Sequence, residues 1–233
     1  MLTGLSSGSA PQLSGAELAE LVRRHGGRAV DLRFGKGHCW EAGGLAPFSE
    51  AGVDVAFVGV SVVLGDPKED ALDMALEAPL CAGVPVKVFA APDCTAPDRL
   101  AVTRRQVAAL AKRVGDASNV LVETHEGGAS PQTLAVLHAE TGVRLLLDTL
   151  GLARITADPL AAARLLCTLV PAAQVKGFDW ESPHDTRHLP LAEAAGPTQA
   201  LLAALPQLAY VTVETRAGSH TEDLSLVNTW WHS

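Results

Sequence analysis

Several apolar runs of this sequence end in charged or polar side chains that suit acid–base chemistry. The stretch "NVLVETHEGG" at 119–128 carries Glu123 and His125 after an apolar run, and "VRLLLDTLG" ends its run with Asp148. Other apolar runs contribute the following side chains: Asp31, Arg33, Lys87, Gln174, Lys176, Glu214 and Arg216. Carboxylates and imidazoles transfer protons or bind metal ions, while ammonium and guanidinium groups stabilise the anions that form during such reactions.

The elements that must position these residues alternate between short apolar strands and longer helical patterns. We predict strands at 2–6, 28–34, 53–63, 84–91, 119–125, 143–149, 172–178 and 210–215. Such alternation predicts parallel strands joined by right-handed crossovers, and eight repeats predict an α/β fold, a closed (β/α)8 TIM barrel. We expect one domain over residues 1–233. Asp66 is expected to cap the helix that follows the third strand.

An open, doubly wound α/β sheet is the rival fold. The sequence has no G-x-G-x-x-G after its first strand and no G-x-x-x-x-G-K-[ST], which are the nucleotide-binding signatures of such sheets. The sequence therefore favours the barrel, and no nucleotide cofactor is expected.

Three carboxylates are expected at equivalent depth in the barrel, on strands 5, 6 and 8. Active sites of TIM barrels form at the C-terminal ends of the strands, so Glu123, Asp148 and Glu214 should converge there. Strand side chains alternate with a period of two, which also places Glu123 with His125 on one face. Uncompensated carboxylates repel each other. We expect either a divalent cation or a set of nearby basic side chains to neutralise them, namely Arg33, Lys87, Lys176 and Arg216.

The strand motifs, taken in order, resemble those of the xylose isomerase-like TIM barrels. This superfamily includes sugar phosphate isomerases and epimerases and the endonuclease IV-type nucleases (AP endonuclease family 2). "AVDLR" resembles its strand-2 pattern, "VETHEGG" its strand-5 Glu-x-His-Gly, and "LLLDTLG" its strand-6 Asp-Thr-x-His. "QVKGFD" is similar to the strand-7 His-x-Lys-Asp, and "VTVET" to the closing strand-8 glutamate.

The resemblance implies a divalent metal held by four strand-end residues. Carried over motif by motif, the ligands would be Glu123, Asp148, Gln174 and Glu214. Gln174 stands where the family has histidine, and Leu150 and Gly151 replace the strand-6 histidine. An all-oxygen ligand set favours Mg²⁺ or Mn²⁺.

The chemistry implied by the resemblance is proton transfer next to a carbonyl, catalysed by an isomerase or epimerase of a small sugar, polyol or keto acid. Glu123 or Glu214 would act as the general base. Lys176 or His125 would stabilise the enediolate oxygen or carry a proton. The residues expected to bind the substrate are Arg33, His38, Lys87 and Arg216.

Two other interpretations remain open. The same scaffold could support a metal-independent lyase, dehydratase or cyclase, or it could be a non-catalytic barrel that has lost its metal ligands. A DNA-repair nuclease is disfavoured, because that chemistry resembles a multi-zinc site with many strand histidines, and His125 is the histidine that clearly ends a strand here.

Composition limits the partners. A formal net charge of −8 argues against a nucleic-acid or anionic-membrane surface, so we expect a small-molecule substrate. The four cysteines form no C-x-x-C pair, and we find neither a signal peptide nor a run of about 18 apolar residues, which leads us to expect a cytoplasmic protein. We expect Trp230 and Trp231 to pack on the outside of the barrel, with a homodimer contact as the alternative. His25, His138 and His232 are expected to be structural or on the surface.

Overall fold

The computed structural model describes residues 1–68 and 70–231, and His232 therefore lies outside it. Eight parallel strands close into one barrel in chain order, with the first strand paired to the last. The strands are β1 Leu2–Ser6, β2 Ala29–Arg33, β3 Asp54–Leu64, β4 Val86–Ala90, β5 Val120–Glu123, β6 Arg144–Asp148, β7 Ala172–Val175 and β8 Tyr210–Val213. The predicted (β/α)8 barrel is confirmed.

Helices cover the outside of the barrel. They are α1 Gly15–Arg24, α2 Ala46–Glu50, α3 Asp70–Leu76, α4 Leu100–Val114, α5 Pro131–Thr141, α6 Thr149–Ile155, α7 Pro159–Leu166, α8 Ala195–Ala203 and α9 His220–Thr229. Local sequence sets several of these boundaries. Ser14 and Glu17 form a capping box at the start of α1. Gly142, in the left-handed conformation, ends α5.

The alternation along each strand separates an outer apolar layer from an inner mixed one. On β5, Val120 and Val122 pack outwards into the main hydrophobic core, whereas Leu121 belongs to a separate inner cluster. That inner cluster consists of Ala56, Phe57, Leu121, Leu146 and Ala172. Two residues further along β5, β6 and β7, the inward positions are Glu123, Asp148 and Gln174. The barrel interior therefore has an apolar floor with a polar layer above it, towards the C-terminal ends of the strands.

The helix after β3 begins later than the sequence suggested. Asp66 does not cap it: the carboxylate accepts a hydrogen bond from the backbone N–H of Lys68, 3.1 Å away, and α3 begins at Asp70. The prediction is wrong because an aspartate can satisfy a nearby backbone donor in a turn as readily as at a helix start. The late strands are also shorter than predicted, so His125, Lys176 and Glu214 lie just beyond β5, β7 and β8, and Arg216 follows two residues after Glu214.

Among the described residues, no helix combines the length and the apolar character needed to cross a membrane. The side chain of Trp231 is 40% exposed, and its ring lies 5.9 Å from that of Trp230. The homodimer contact suggested by this pair stays a prediction.

Candidate active site

A buried ion network forms the centre of the polar layer. The Nζ of Lys176 lies 2.5 Å from Oδ2 of Asp148 and 2.6 Å from Oε2 of Glu214. The other oxygen of Glu214 lies 2.5 Å from the guanidinium of Arg33. Lys176, Asp148 and Glu214 are each buried. One ammonium group therefore joins the ends of β6 and β8, and both oxygens of Glu214 are paired.

The charges of this network fix the protonation of its members. Burial alone would raise the pKa of Glu214, but the ammonium of Lys176 and the guanidinium of Arg33 outweigh it and lower that pKa to about 2. Burial would likewise lower the pKa of Lys176, but Asp148 and Glu214 raise it above its ordinary value. Lys176 therefore stays an ammonium and Glu214 a carboxylate throughout the physiological pH range.

Within residues 1–68 and 70–231, Glu123 is paired through one of its two carboxylate oxygens only. Its Oε2 lies 2.5 Å from Nζ of Lys87, and that ammonium lies 3.9 Å from the centroid of the Phe89 ring. The stem of Lys87 runs past Gly59, where an added Cβ would lie only 3.0 Å from Cε of the lysine. Lys87 thus reaches Glu123 because Gly59 leaves room on the neighbouring strand.

The end of β6 is shaped by a tight passage between a strand and a helix. Asp148 is the last residue of β6 and also the N-cap of α6, since its Oδ1 accepts a hydrogen bond of 2.6 Å from the backbone N–H of Gly151. A Cβ on Gly151 would lie 1.9 Å from the carbonyl oxygen of Thr124. This close approach explains why a glycine stands near the position where the resemblance leads one to expect histidine.

A buried pair of an amide and a carboxylate lies on the β2 side of the barrel. Nε2 of Gln174 donates a hydrogen bond of 3.1 Å to Oδ2 of Asp31, and both side chains are buried. Burial, and then the charge of Glu214, raise the pKa of Asp31 to about 6. The amide of Gln174 therefore acts as a hydrogen-bond donor to Asp31.

The four residues that the resemblance assigned to a metal do not fit a divalent ion as they are arranged. The Lys176 ammonium lies between the carboxylates of Asp148 and Glu214, and the Gln174 amide is directed to Asp31. In residues 1–68 and 70–231 no group of three or more His, Cys, Asp or Glu residues could hold a metal ion.

The charge balance of the layer points the same way. Four carboxylates (Asp31, Glu123, Asp148 and Glu214) lie with three basic side chains (Arg33, Lys87 and Lys176), and the pKa of Asp31 is raised to about 6, so Asp31 loses its charge only below that pH. The sequence left two means of neutralisation open, a divalent cation or basic side chains, and in this arrangement the basic side chains pair with three of the four carboxylates.

The network opens into a cavity of about 240 Å³ at the C-terminal ends of the strands. The lining includes several predicted site residues: Arg33, Glu123, His125, Lys176, Glu214 and Arg216. The ring of His125 packs edge-on against Phe89, with their centroids 4.6 Å apart. These six side chains, drawn from four strand ends, therefore meet at one volume, as TIM-barrel geometry requires.

Two predicted substrate-binding residues lie elsewhere. Lys87 is buried beneath the cavity, behind Glu123. Nδ1 of His38 lies 3.1 Å from the hydroxyl of Ser7, and the imidazole is not part of the lining. In the same loop, Trp40 is fully buried and donates its indole N–H to the carbonyl of Arg33. The loop after β2 thus packs beside the site and supports Arg33.

The lining is completed by five residues that are not among the predicted site residues: Phe89, Leu150, Arg154, Thr186 and His188. Arg154, on α6, donates hydrogen bonds to the carbonyls of Pro183 and Asp185 and pairs with Glu126 at 2.8 Å. It holds the 179–190 segment over the β6 and β7 side of the cavity. No strand-end pattern marks a helical arginine, so this role was not visible in the sequence.

A larger cavity, of about 600 Å³, opens at the opposite end of the barrel. It is lined by residues at strand starts, such as Asp54 and Tyr210, together with Cys81. Catalytic residues of TIM barrels lie at the C-terminal ends of the strands, so the smaller cavity is the better candidate despite its size.

We expect Asp31→Asn to remove a pH-dependent loss of stability. Because the pKa of Asp31 is raised to about 6, the folded protein keeps this proton at pH values where the unfolded chain has released it. Stability from this group is therefore present at low pH and is lost as pH rises from about 4 to about 6, by about 3 kcal/mol. Urea unfolding measures the free energy of unfolding of both proteins at pH 4 and at pH 7. Relative to that of the parent, the free energy of the variant should rise by about 2 kcal/mol or more between the two pH values. A difference in stability between variant and parent that is the same at both pH values contradicts this assignment. Asp98→Asn, at an exposed position, is the control.

Comparisons with known proteins show which solved structures share this fold. No protein-family model and no curated protein sequence matches the chain. Among solved structures, a probable 3-DHS dehydratase from Bacillus anthracis, involved in petrobactin synthesis, is 13% identical, with a TM-score of 0.67 and coverage of 98% of this chain and 99% of that one. A xylose isomerase domain containing protein from Salmonella typhimurium LT2 is 15% identical, with a TM-score of 0.67 and coverage of 97% and 94%.

A third solved structure is the 3-keto-D-glucoside 4-epimerase from E. coli, which is 16% identical, with a TM-score of 0.63 and coverage of 98% of this chain and 99% of that one. The fold of this chain is that of the xylose isomerase-like TIM barrels, which confirms the resemblance at the level of fold. This scaffold carries epimerases and a probable dehydratase among the matching structures.

Proposed function

We propose that this protein is an enzyme that transfers a proton at a carbon next to a carbonyl, as an isomerase or epimerase of a small sugar, keto-polyol or keto acid. The observation that carries the proposal is that a carboxylate and an ammonium group line the same cavity. A carboxylate with one free side, Glu123, lies in the same lining as the permanently charged ammonium of Lys176. A base beside a fixed positive charge is what enolisation requires.

Glu123 is the better general base of the two glutamates in the cavity. Both oxygens of Glu214 are paired, and its pKa of about 2 makes it a weak base. Among the residues that the structure describes, Glu123 has one ion-pair contact, through Oε2 to Lys87, which leaves Oε1 to accept a proton. Glu214 instead holds Lys176 and Arg33 in place, and we assign it this positioning role.

Lys176 would stabilise the oxygen that becomes negative. When Glu123 removes the proton from carbon, the electron pair of the C–H bond forms a C=C bond, and the π electrons of the carbonyl move to its oxygen and give an enolate. A buried ammonium that is already oriented by two carboxylates costs little reorganisation as this charge develops. The role that the family resemblance gives to a divalent cation thus falls, in this proposal, to a lysine side chain.

A second proton carrier completes the cycle. An isomerase returns the proton to a neighbouring carbon, and an epimerase returns it to the opposite face of the same carbon. His125 lies on the opening of the cavity, where its exposed imidazole is held against Phe89 and can exchange protons with solvent. We assign it this role.

Dehydration is the second candidate function, and the two imidazoles of the lining favour it. That of His125 is exposed, and that of His188 is half-buried beside Arg216. The same enolate could expel a hydroxyl group from the next carbon, which forms a C=C bond and releases water once an acid protonates the leaving oxygen. His125 is available as that acid, because burial and the basic groups around His188 lower the pKa of that imidazole and keep it neutral.

The test is deuterium incorporation in D₂O, followed by ¹H NMR over a panel of pentoses, hexoses, inososes and short keto acids. We expect a C–H next to the carbonyl of at least one class to exchange, and EDTA-treated protein to exchange at the same rate. Interconversion of isomers identifies an isomerase or epimerase, whereas a new vinylic signal identifies a dehydratase. A panel without any exchange supports the non-catalytic barrel, and activity that returns only on adding Mg²⁺ or Mn²⁺ overturns the role given to Lys176.

A further inference from the structure

One basic side chain at the cavity lacks a carboxylate partner. Arg216 follows β8, is exposed, and lines the cavity, yet in the described part of the chain no aspartate or glutamate forms an ion pair with it. The other basic groups of the lining are already engaged: Arg33 and Lys176 with Glu214, and Arg154 with a glutamate of the rim. Arg216 is therefore free to bind an anion from outside.

His188 supplies a second donor at the same place. Its Nδ1 lies 3.1 Å from the backbone nitrogen of Arg216, which can only donate. The neutral imidazole must then carry its proton on Nε2, and that N–H is available to a ligand. Burial lowers the pKa of this imidazole, and the largest effects of charge on it come from three basic groups (Lys176, Arg216 and Arg154) and one acid (Glu214), so the surroundings favour an anion.

The N-terminus of α9, the helix that follows β8, is not suited to bind an anion. In many TIM barrels a helix N-terminus near strands 7 and 8 binds phosphate. Here the first turn of α9 carries Glu222 and Asp223. The carboxylate of Asp223 already accepts hydrogen bonds from the backbone N–H of Leu191 and the hydroxyl of Ser219. Its negative charge repels a second anion, which leaves side-chain donors to provide the binding.

We propose that the substrate carries an anionic group, a carboxylate or a phosphate, which is bound by the guanidinium of Arg216 together with Nε2–H of His188. This inference rests on the proposed function and narrows its substrate class to small sugar acids, keto acids or sugar phosphates. Arg216 and Glu123 line the same cavity, so an anion held at the β8 side presents the rest of the molecule to the base. A volume of about 240 Å³ is about that of eight water molecules, enough for the anion and a short carbon chain.

Isothermal titration calorimetry tests this without turnover. The probes are inorganic phosphate, oxalate and the neutral tetritol erythritol, at constant ionic strength because screening weakens exposed charge interactions. We expect phosphate or oxalate to bind in the millimolar range and erythritol to bind more weakly. Arg216→Gln should weaken anion binding at least tenfold. Arg187→Gln removes the same charge from an exposed position in the 179–190 segment, outside the lining, and should leave binding unchanged.

The outcomes separate this inference from the proposed function. Preference for phosphate or for oxalate identifies the anionic group. If neither anion binds the parent protein, if erythritol binds as tightly, or if the two arginine variants behave alike, the anion site is overturned, even where deuterium exchange succeeds. Anion binding without exchange on any substrate instead upholds the site and counts against the proposed reaction. His188→Gln should weaken anion binding less than Arg216→Gln. Near-UV circular dichroism of each variant shows whether a loss of binding reflects unfolding.

Discussion

Glu123→Gln should reduce the rate of proton transfer by about 10²–10⁴-fold, the usual contribution of a general base. The substitution keeps the shape of the side chain and removes its ability to take a proton at neutral pH. It also leaves the buried ammonium of Lys87 without its charged partner, so some loss of stability is expected. The measurement is the rate of deuterium incorporation into the best substrate, at a temperature well below the melting point of the variant.

Two controls make this result specific. Glu181→Gln changes an exposed glutamate of the 179–190 segment in the same way. This variant should catalyse deuterium incorporation into the substrate at the parental rate. Glu214→Gln should reduce the rate less steeply, since its role is to hold Lys176 and Arg33. If the Glu123 variant retains the parental rate, Glu123 is not the base. If the Glu214 variant is the more severely impaired, the two roles must be exchanged.

Lys176→Met should lower the free energy of unfolding by about 3–5 kcal/mol, a larger loss than we expect for either glutamate variant. The substitution leaves the buried carboxylates of Asp148 and Glu214 facing each other without the ammonium between them. Exposed Lys112→Met, on α4, should stay within about 0.5 kcal/mol of the parent. Urea unfolding measures both.

The pH dependence of the same variants gives an independent check. Glu214 has its pKa lowered to about 2 in the folded protein, so its pairing stabilises the fold above about pH 4.5 and is lost as pH falls towards 2. Lys176→Met should abolish most of that contribution. The double variant Lys176→Met/Glu214→Gln should recover part of the lost stability at pH 7, because it removes one of the two repelling charges.

The Lys176→Met variant also tests the replacement of a metal by a lysine. Without the ammonium, Asp148 and Glu214 present hard oxygen ligands to one point, which favours Mg²⁺ or Mn²⁺. Adding either ion should raise the melting temperature of the variant and leave that of the parent unchanged. Equal stabilisation of both proteins would show that the parent already binds the ion, and an unchanged free energy of unfolding in the variant would show that Lys176 does not hold the two acids together.

Much of the site could be predicted from the sequence. Strand–helix alternation is periodic and local, so the barrel followed from the pattern, and the barrel in turn fixes which ends of the strands meet. Glu123, Asp148 and Glu214 were placed together for that reason, and Lys176, Arg33 and Arg216 with them. The helix start at Asp66 was wrong because a short turn and a helix cap use the same side chain in the same way.

The pairing of these charges could not be predicted from the sequence, because it depends on distances of an ångström across the barrel. Sequence order does not reveal that Lys176 reaches both Asp148 and Glu214 at 2.5 and 2.6 Å, or that Gln174 binds Asp31. Nor does any strand pattern indicate that Arg154, on a helix, anchors the 179–190 segment.

The sequence by itself thus determined the fold class and the set of groups at the mouth of the barrel, since both follow from short-range periodicity. The tertiary structure alone decided which charges neutralise one another and which remain free. Coulomb interactions and hydrogen bonds act over a few ångströms, and the residues that make them here are separated by up to 181 positions along the chain, as for Arg33 and Glu214. In our proposal, that long-range pairing leaves Glu123 to act as the base and Arg216 to bind an anion.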